Sequence, residues 1–106
     1  QTFQTAPKIN ISKQTKQNNN KFIIDGTAID TKKLKDITIF ASGKKIFYSN
    51  FEKKGVTTKH EFHSEFELED GLNLIIIRAR GERNLTSHKT LSVVYHPNDA
   101  MVAKQN

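Results

Sequence analysis

The side chains that could bind a metal or transfer protons in this 106-residue chain are four His and eleven carboxylates. His60 and His63 are three residues apart, which places two side chains on one face of a helix but on opposite faces of a strand. The residues around them alternate as a strand, so we do not expect the pair to share an ion. Asp25, Asp30 and Asp36 lack the alternating spacing of a calcium loop. We therefore predict no metal site.

The sequence also lacks the signatures of a catalytic site. Glu61, Glu65 and Glu67 lie on one polar strand face, a pattern typical of a solvated or ion-paired surface rather than of acid/base catalysis. The sequence has no GxSxG elbow, no Gly-rich phosphate loop and no Cys. We predict no catalytic residue, no cofactor and no enzymatic activity in this chain.

The uneven charge distribution allows a basic docking face, but lysines that keep edges and loops soluble explain it more simply. Residues 1–60 carry twelve Lys and no Arg against four acids, within a net charge of +6. Lysines and aromatic residues are interleaved in this part of the sequence: Lys32, Lys33, Lys35, Phe40, Lys44, Lys45, Phe47, Tyr48, Phe51, Lys53 and Lys54. A cationic groove with stacking rings would bind single-stranded nucleic acid or another polyanion on a β-barrel. The absence of Arg in this cluster favours the simpler interpretation of loop lysines and core aromatics.

Alternating polarity divides most of the chain into short strands. Residues 61–68 are the clearest example, because Phe62, Ser64, Phe66 and Leu68 share one face. About seven such segments are separated by turn residues, and none has a helical period. The pattern predicts an all-β fold, an antiparallel immunoglobulin-like or fibronectin-like sandwich of about seven strands, in preference to a small barrel.

Three local expectations follow from the same pattern. Asp25-Gly26 is a common hairpin dipeptide, but the alternation of inward-facing and outward-facing residues continues through it. We therefore expect one strand to run to Ala28 and the turn to fall at 31–36. The first strand should be short, with residues 13–20 as a polar connection, and the polar middle of the last strand could hold a bulge. The predicted domain covers residues 8–97, between a linker at 1–7 and a tail at 98–106.

Candidate partner-binding residues come from two places. Leu74 and Ile76 are apolar residues at outward-facing positions of a central strand, and they predict a covered or docking surface. Lys44, Lys45, Lys53 and Lys54 are the residues that we expect to steer an acidic partner toward it.

A set of short motifs resembles a known family. They are Gly26-Thr27-Ala28, the stretch from Leu34 through Asp36 to Ile39-Phe40, the Lys45/Phe47-Tyr48 group, and the Leu68/Gly71/Asn73 turn. Together they are similar to the carboxy-terminal immunoglobulin-like domain of bacterial carboxyl-terminal processing (tail-specific) serine proteases.

The resemblance implies a non-catalytic accessory or interaction domain of an exported protein of the periplasm or cell envelope. Its partners would be other domains of the parent protein or a separate protein, with nucleic acid not favoured and no membrane insertion. Two residues of these motifs also have predictable structural roles. Gly26 should allow a backbone or a ring to pack closely against its strand, and Asn73 should bond to the backbone of the Gly71 turn.

Overall fold

A computed structural model describes residues 5–17 and 19–97, with the side chain of Lys54 also outside the description. Seven strands follow one another along the chain: β1 (Lys8–Lys16), β2 (Lys21–Ile29), β3 (Leu34–Ala41), β4 (Lys44–Asn50), β5 (Lys59–Glu67), β6 (Gly71–Gly81) and β7 (Thr86–Tyr95). Two single-turn 3₁₀ helices, Glu52–Lys54 and Glu82–Asn84, are the helical elements of these residues. Within the described ranges no helix has the length and apolar character needed to cross a membrane.

The strands form two antiparallel sheets that pack face to face. One sheet has the order β1-β2-β5 and the other β4-β3-β6-β7. Their inner faces enclose one apolar core, whose fully buried members include Ile24, Leu34, Ile37, Ile39, Phe51, Ile75 and Ile77. The predicted all-β sandwich of about seven strands is confirmed, and the barrel alternative is not observed.

Asp25-Gly26 does not form a hairpin, as parity predicted. β2 runs through both residues and pairs without interruption with β5 from Lys21 to Ile29. A Cβ atom at Gly26 would lie 2.5 Å from the Asn10 carbonyl oxygen and 2.5 Å from Cζ of Phe62. The expected close packing of a backbone and a ring is therefore confirmed.

The chain turns instead directly after β2. Asp30 is buried, and its Oδ1 accepts hydrogen bonds from the backbone N–H groups of Lys32 (2.8 Å) and Lys33 (3.1 Å). An Asp side chain that bonds its own chain two residues ahead stabilises a turn. The turn prediction at 31–36 was therefore right in place but too long, because β3 already begins at Leu34.

Two expectations about the edge strands were wrong. β1 continues to Lys16 and pairs with β2 as far as Phe22, with a bulge at Ser12. Its polar second half reflects an edge position, where neither face of the strand is fully covered. β7 pairs with β6 in unbroken register from Thr86 to Tyr95, so its polar middle holds no bulge. Polar residues on an edge strand do not need a bulge to reach solvent.

The turn before β6 has the predicted chemistry. Gly71 has φ of 85°, a left-handed conformation that glycine adopts without strain. Asn73 is 2% exposed, and its Nδ2 donates to the carbonyl oxygens of Glu69 (2.8 Å) and Gly71 (3.1 Å). Its Oδ1 accepts from the Glu69 N–H at 2.8 Å. This side chain fixes the point at which the chain enters the central strand of the larger sheet.

Candidate docking face

The outer face of the four-stranded sheet carries side chains from all four of its strands. Opposite residues in an antiparallel pair lie on the same face. The register places Arg80 beside Asp36 and Arg78 beside Thr38 across β6 and β3. We call this surface the docking face; its members are Asp36, Thr38, Phe40, Lys45, Tyr48, Asn50, Leu72, Leu74, Ile76, Arg78, Arg80, Thr86, His88, Thr90, Ser92 and Val94.

One half of the docking face is an apolar strip, formed by Leu72, Leu74, Ile76 and Val94. Leu72 is 66% exposed, Leu74 45% and Val94 49%, and Ile76 is half-buried. Leu72 and Val94 stand directly opposite each other on β6 and β7. Clustered exposure of large apolar side chains, in contrast to single ones, is typical of an interaction surface.

The other half is a polar network around Asp36. This carboxylate is 1% exposed even though it points outward, because its neighbours cover it. Its Oδ2 accepts from the Arg80 guanidinium and from the Tyr48 hydroxyl at 3.3 Å, and Asn50 Nδ2 donates to the Tyr48 oxygen at 2.9 Å. A buried carboxylate needs such partners, since desolvating an unpaired charge is costly.

Arg78 lies between the two halves. Its Nη2 donates to Thr38 Oγ1 at 3.3 Å, and its Cζ lies 5.5 Å from the centre of the Phe40 ring. No carboxylate among the described residues lies within 4.0 Å of it, since Asp36 pairs with Arg80 instead. Its Nε is buried without a hydrogen-bond partner, as are Arg80 Nε and Asp36 Oδ1 in the neighbouring network. The docking face therefore has an uncompensated guanidinium near its centre.

The predicted partner-binding residues are only partly brought together. Leu74, Ile76 and Lys45 lie on the docking face, and Lys45 sits 5.1 Å above the Tyr48 ring. Lys44 pairs with Glu69 at 3.7 Å beside the β3–β4 turn.

Lys53 and Lys54 lie in the 3₁₀ turn beyond the other end of β4, and the Lys54 side chain is outside the described residues. β4 spans about 20 Å from Lys44 to Asn50, and the second lysine pair lies beyond its far end. The expected cluster of four lysines is therefore not one patch.

The sequence interpretation missed the two arginines and Asp36. A signal was present, because Arg78 and Arg80 share the parity of Leu74 and Ile76 on β6. Asp36 was considered as a calcium ligand and as part of a sequence motif, but not as a partner of Arg80, because that pairing depends on a register that the sequence does not reveal. Val94 and Leu72 were missed for the same reason.

The aromatic residues do not form an exposed row. Phe51 is fully buried with its ring 4.4 Å from that of His60, and Phe47 packs against the core. Phe40 lies beneath Arg78, and Tyr48, at 47%, is the well-exposed ring of this group. The polyanion-binding surface that the sequence left open therefore lacks its stacking platform in this part of the molecule.

A second cluster lies on the outer face of the three-stranded sheet. His63 Nδ1 is 2.5 Å from Asp25 Oδ1, and its Nε2 is 2.9 Å from Glu65 Oε2. The hydrogen bond to Glu65 raises the pKa of His63 most, followed by the hydrogen bond to Asp25. The same hydrogen bond with His63 lowers the pKa of Glu65. Lys21 adds an ion pair to Glu65 at 3.5 Å. A cleft of 290 Å³ opens beside the imidazole.

The second cluster lacks the arrangement of a metal site. Each ring nitrogen faces its own carboxylate, and no group of three or more His, Asp or Glu in the described ranges is arranged to hold an ion. His60 lies on the opposite side of β5, against Phe51, as strand parity predicted. We find no arrangement here that combines a nucleophile, a base and an oxyanion site.

Comparison with known proteins supports the fold. No family model and no curated protein sequence matches the chain. A solved structure of fibronectin(III)-like modules of Clostridium thermocellum CbhA superposes on 84% of this chain with a TM-score of 0.57 and 14% identity. This chain spans 46% of the length of that chain. The molecule is thus an all-β sandwich with a fibronectin III-like fold neighbour.

Proposed function

We propose that the chain is a non-catalytic interaction module that docks a neighbouring domain of its own polypeptide on the docking face. The observation that carries the proposal is the apolar strip, in which Leu72, Leu74 and Val94 stay 45–66% exposed on one sheet face. The partner surface would combine apolar residues with carboxylates, because Lys45 and Arg78 add positive charge beside the apolar strip.

Two features support a neighbouring domain as the occupant. The similar CbhA structure is one of fibronectin(III)-like modules, and this chain covers 46% of the chain that it matches. The sequence motifs resemble a domain that follows other domains in the same polypeptide. A covalently attached partner also needs little intrinsic affinity, because linkage raises its effective concentration to about the millimolar range. A strip of four apolar side chains is sufficient for such a contact.

The absence of Cys in the chain allows a direct accessibility test. Leu74→Cys places a thiol on the docking face, and Ile29→Cys places one on the outer face of the three-stranded sheet. The two positions are matched controls, since Leu74 is 45% and Ile29 40% exposed. Thiol labelling rates are measured for each variant in this chain and in the polypeptide of the complete reading frame, in a background without other Cys.

We expect the Leu74→Cys thiol to label at least about tenfold more slowly in the longer polypeptide, while the Ile29→Cys thiol labels at an unchanged rate. Docking excludes the reagent from one face only. Equal rates at Leu74→Cys in the two contexts would contradict the proposal, as would a reading frame that encodes no further domain.

We extend the proposal to the parent protein: an exported bacterial tail-specific protease, in which this module acts in the periplasm or cell envelope. Only the motif resemblance supports this extension. The complete reading frame tests it, since it should encode a signal peptide, a PDZ domain and a Ser-Lys protease domain upstream. A reading frame without a protease domain would contradict it and would leave the docking proposal standing.

A further inference from the structure

We infer that Arg78 is a carboxylate-binding anchor of the docking face, which takes an Asp, Glu or terminal carboxylate flanked by apolar residues on the neighbouring domain. The inference rests on the proposed function and names the chemistry of its central contact. It concerns a residue that the sequence motifs do not include.

The position of Arg78 fits an anchor. Two side chains of β3 contact its guanidinium: Nη2 donates to Thr38 Oγ1 at 3.3 Å, and Cζ lies 5.5 Å from the centre of the Phe40 ring. A guanidinium that is already ordered loses little side-chain entropy when it binds, and its planar fork matches a carboxylate bidentately. Arg and Tyr near the centre of an interface also contribute a large share of binding energy in many complexes.

The charge balance of the face leaves Arg78 available. Arg80 is committed to Asp36, which is 1% exposed, and it also reaches Asn84 Oδ1 at 3.5 Å. Arg78 has no such carboxylate in the described residues, and Lys45 contributes further positive charge across β3. A neighbouring surface that covered the apolar strip without a carboxylate would bury this charge unpaired, which is unfavourable. A carboxylate opposite Arg78 removes that penalty.

The surroundings favour a protein carboxylate over a nucleic-acid phosphate. Ile76 is the neighbour of Arg78 on the same face of β6, and Leu74 and Leu72 continue the strip from it. A phosphodiester chain requires several cations along its path and gains nothing from aliphatic side chains. An acidic group with an adjacent apolar residue would pair with Arg78 and cover the apolar strip at the same time.

The three Arg of the sequence, Arg78, Arg80 and Arg83, make the test specific. The Nε–Hε signals of the ¹⁵N-labelled chain are followed by NMR during titration with 3-phenylpropanoate, an apolar carboxylate. The neutral 3-phenylpropanamide and inorganic phosphate are titrated at the same ionic strength. A fragment of this size is expected to bind in the millimolar range.

We expect 3-phenylpropanoate to move the Arg78 signal and the Ile76 and Leu74 amides in a saturable way, with the exposed Arg83 as the unmoved control. Arg78→Gln replaces the guanidinium by a shorter, neutral polar side chain and should weaken this binding at least about tenfold, the effect of losing a hydrogen bond to a charged group. Arg83→Gln should leave it unchanged. The amide spectra of β3 and β6 establish that each variant is folded.

Every other outcome of the titration would contradict the inference, and each has its own meaning. Equal shifts with the amide would mean that the strip binds apolar groups without using Arg78, and the proposed docking function would survive. Equal shifts with phosphate would mean a general anion site. Equal movement at Arg78 and Arg83, or no movement up to about 20 mM probe, would mean that Arg78 is not an anchor.

Discussion

At the scale of single residues, His63 is the side chain with the most specific chemistry on the surface opposite the docking face. Both of its ring nitrogens face carboxylates, Asp25 at 2.5 Å and Glu65 at 2.9 Å. Both nitrogens can donate only when the imidazole is protonated. Both hydrogen bonds from the ring to carboxylates therefore form only with His63 charged and both acids ionised.

This geometry predicts a window of pH in which His63 stabilises the fold. Its pKa is raised in the folded state, so its contribution is full below about 6.5, the unfolded value, and is lost as pH rises through the raised pKa. The pKa of Glu65 is lowered, so its contribution is present above the unfolded value and is lost as pH falls through the lowered one.

Urea unfolding of the chain and of His63→Gln should therefore differ most near pH 5.5 and converge by about pH 9. In NMR titrations of the His63 ring, Glu65→Gln and Asp25→Asn should each lower its pKa. Glu67→Gln is the control, since Glu67 lies on the same face of β5 but does not perturb His63. A stability difference that grows above pH 7 would contradict the assignment.

At the scale of elements, the absence of a side chain at Gly26 allows β1, β2 and β5 to pack closely. It lies on the inner face of β2 between the Asn10 carbonyl of β1 and the Phe62 ring of β5. Its backbone is not in the left-handed region, so the close approach alone requires glycine. The carbonyl belongs to the backbone of a paired strand and cannot rotate away as a side chain can.

Gly26→Ala should consequently destabilise the domain by about 3 kcal/mol, the upper range for overpacking a core. Thr27→Ala, one residue along on the outward face, should cost less than about 1 kcal/mol. Adding Phe62→Leu to Gly26→Ala should recover little, because the contact with Asn10 remains. Chemical denaturation measures all three, and a Gly26→Ala variant as stable as Thr27→Ala would disprove this account.

The elements also show what a single sequence can reveal. Parity alone separated the hairpin dipeptide Asp25-Gly26 from a real turn and identified the inner faces of β2, β5 and β6. It could not locate the end of β1, because the second half of this edge strand has no buried side chain to impose alternation on residues 13–16. It could not predict the Asp36–Arg80 pair either, since cross-strand partners depend on a register shifted by the extra residue Lys35.

At the scale of the whole molecule, the net charge of +6 overstates the ability to bind polyanions. Lys44 and Lys53 lie at opposite ends of β4, and Lys44 is paired with Glu69. The outer face of the three-stranded sheet adds Asp25, Glu61, Glu65 and Glu67. Positive and negative charges are thus distributed over the surface, with no continuous cationic groove in the described residues.

We therefore expect the chain to bind single-stranded oligonucleotides or heparin more weakly than about 10 µM at 150 mM salt, near the range of non-specific binding. Released counterions should be few, so the slope of log K against log salt should be shallow. Fluorescence anisotropy over a salt series measures both. Submicromolar binding with a steep slope would favour the nucleic-acid alternative over the docking proposal.

The contacts between β1 and β7 have a mechanical consequence. The Pro7 carbonyl accepts from Ser87 near the start of β7, and Lys16 Nζ donates to the Val94 carbonyl at 3.5 Å near its end. The two edge strands therefore run in the same direction, and the chain enters the sandwich at one pole and leaves β7 at the other. Tension between Pro7 and His96 would slide these strands past each other and load their contacts simultaneously. We expect a module built in this way to resist stretching between these two points, in contrast to a hairpin that opens one bond at a time.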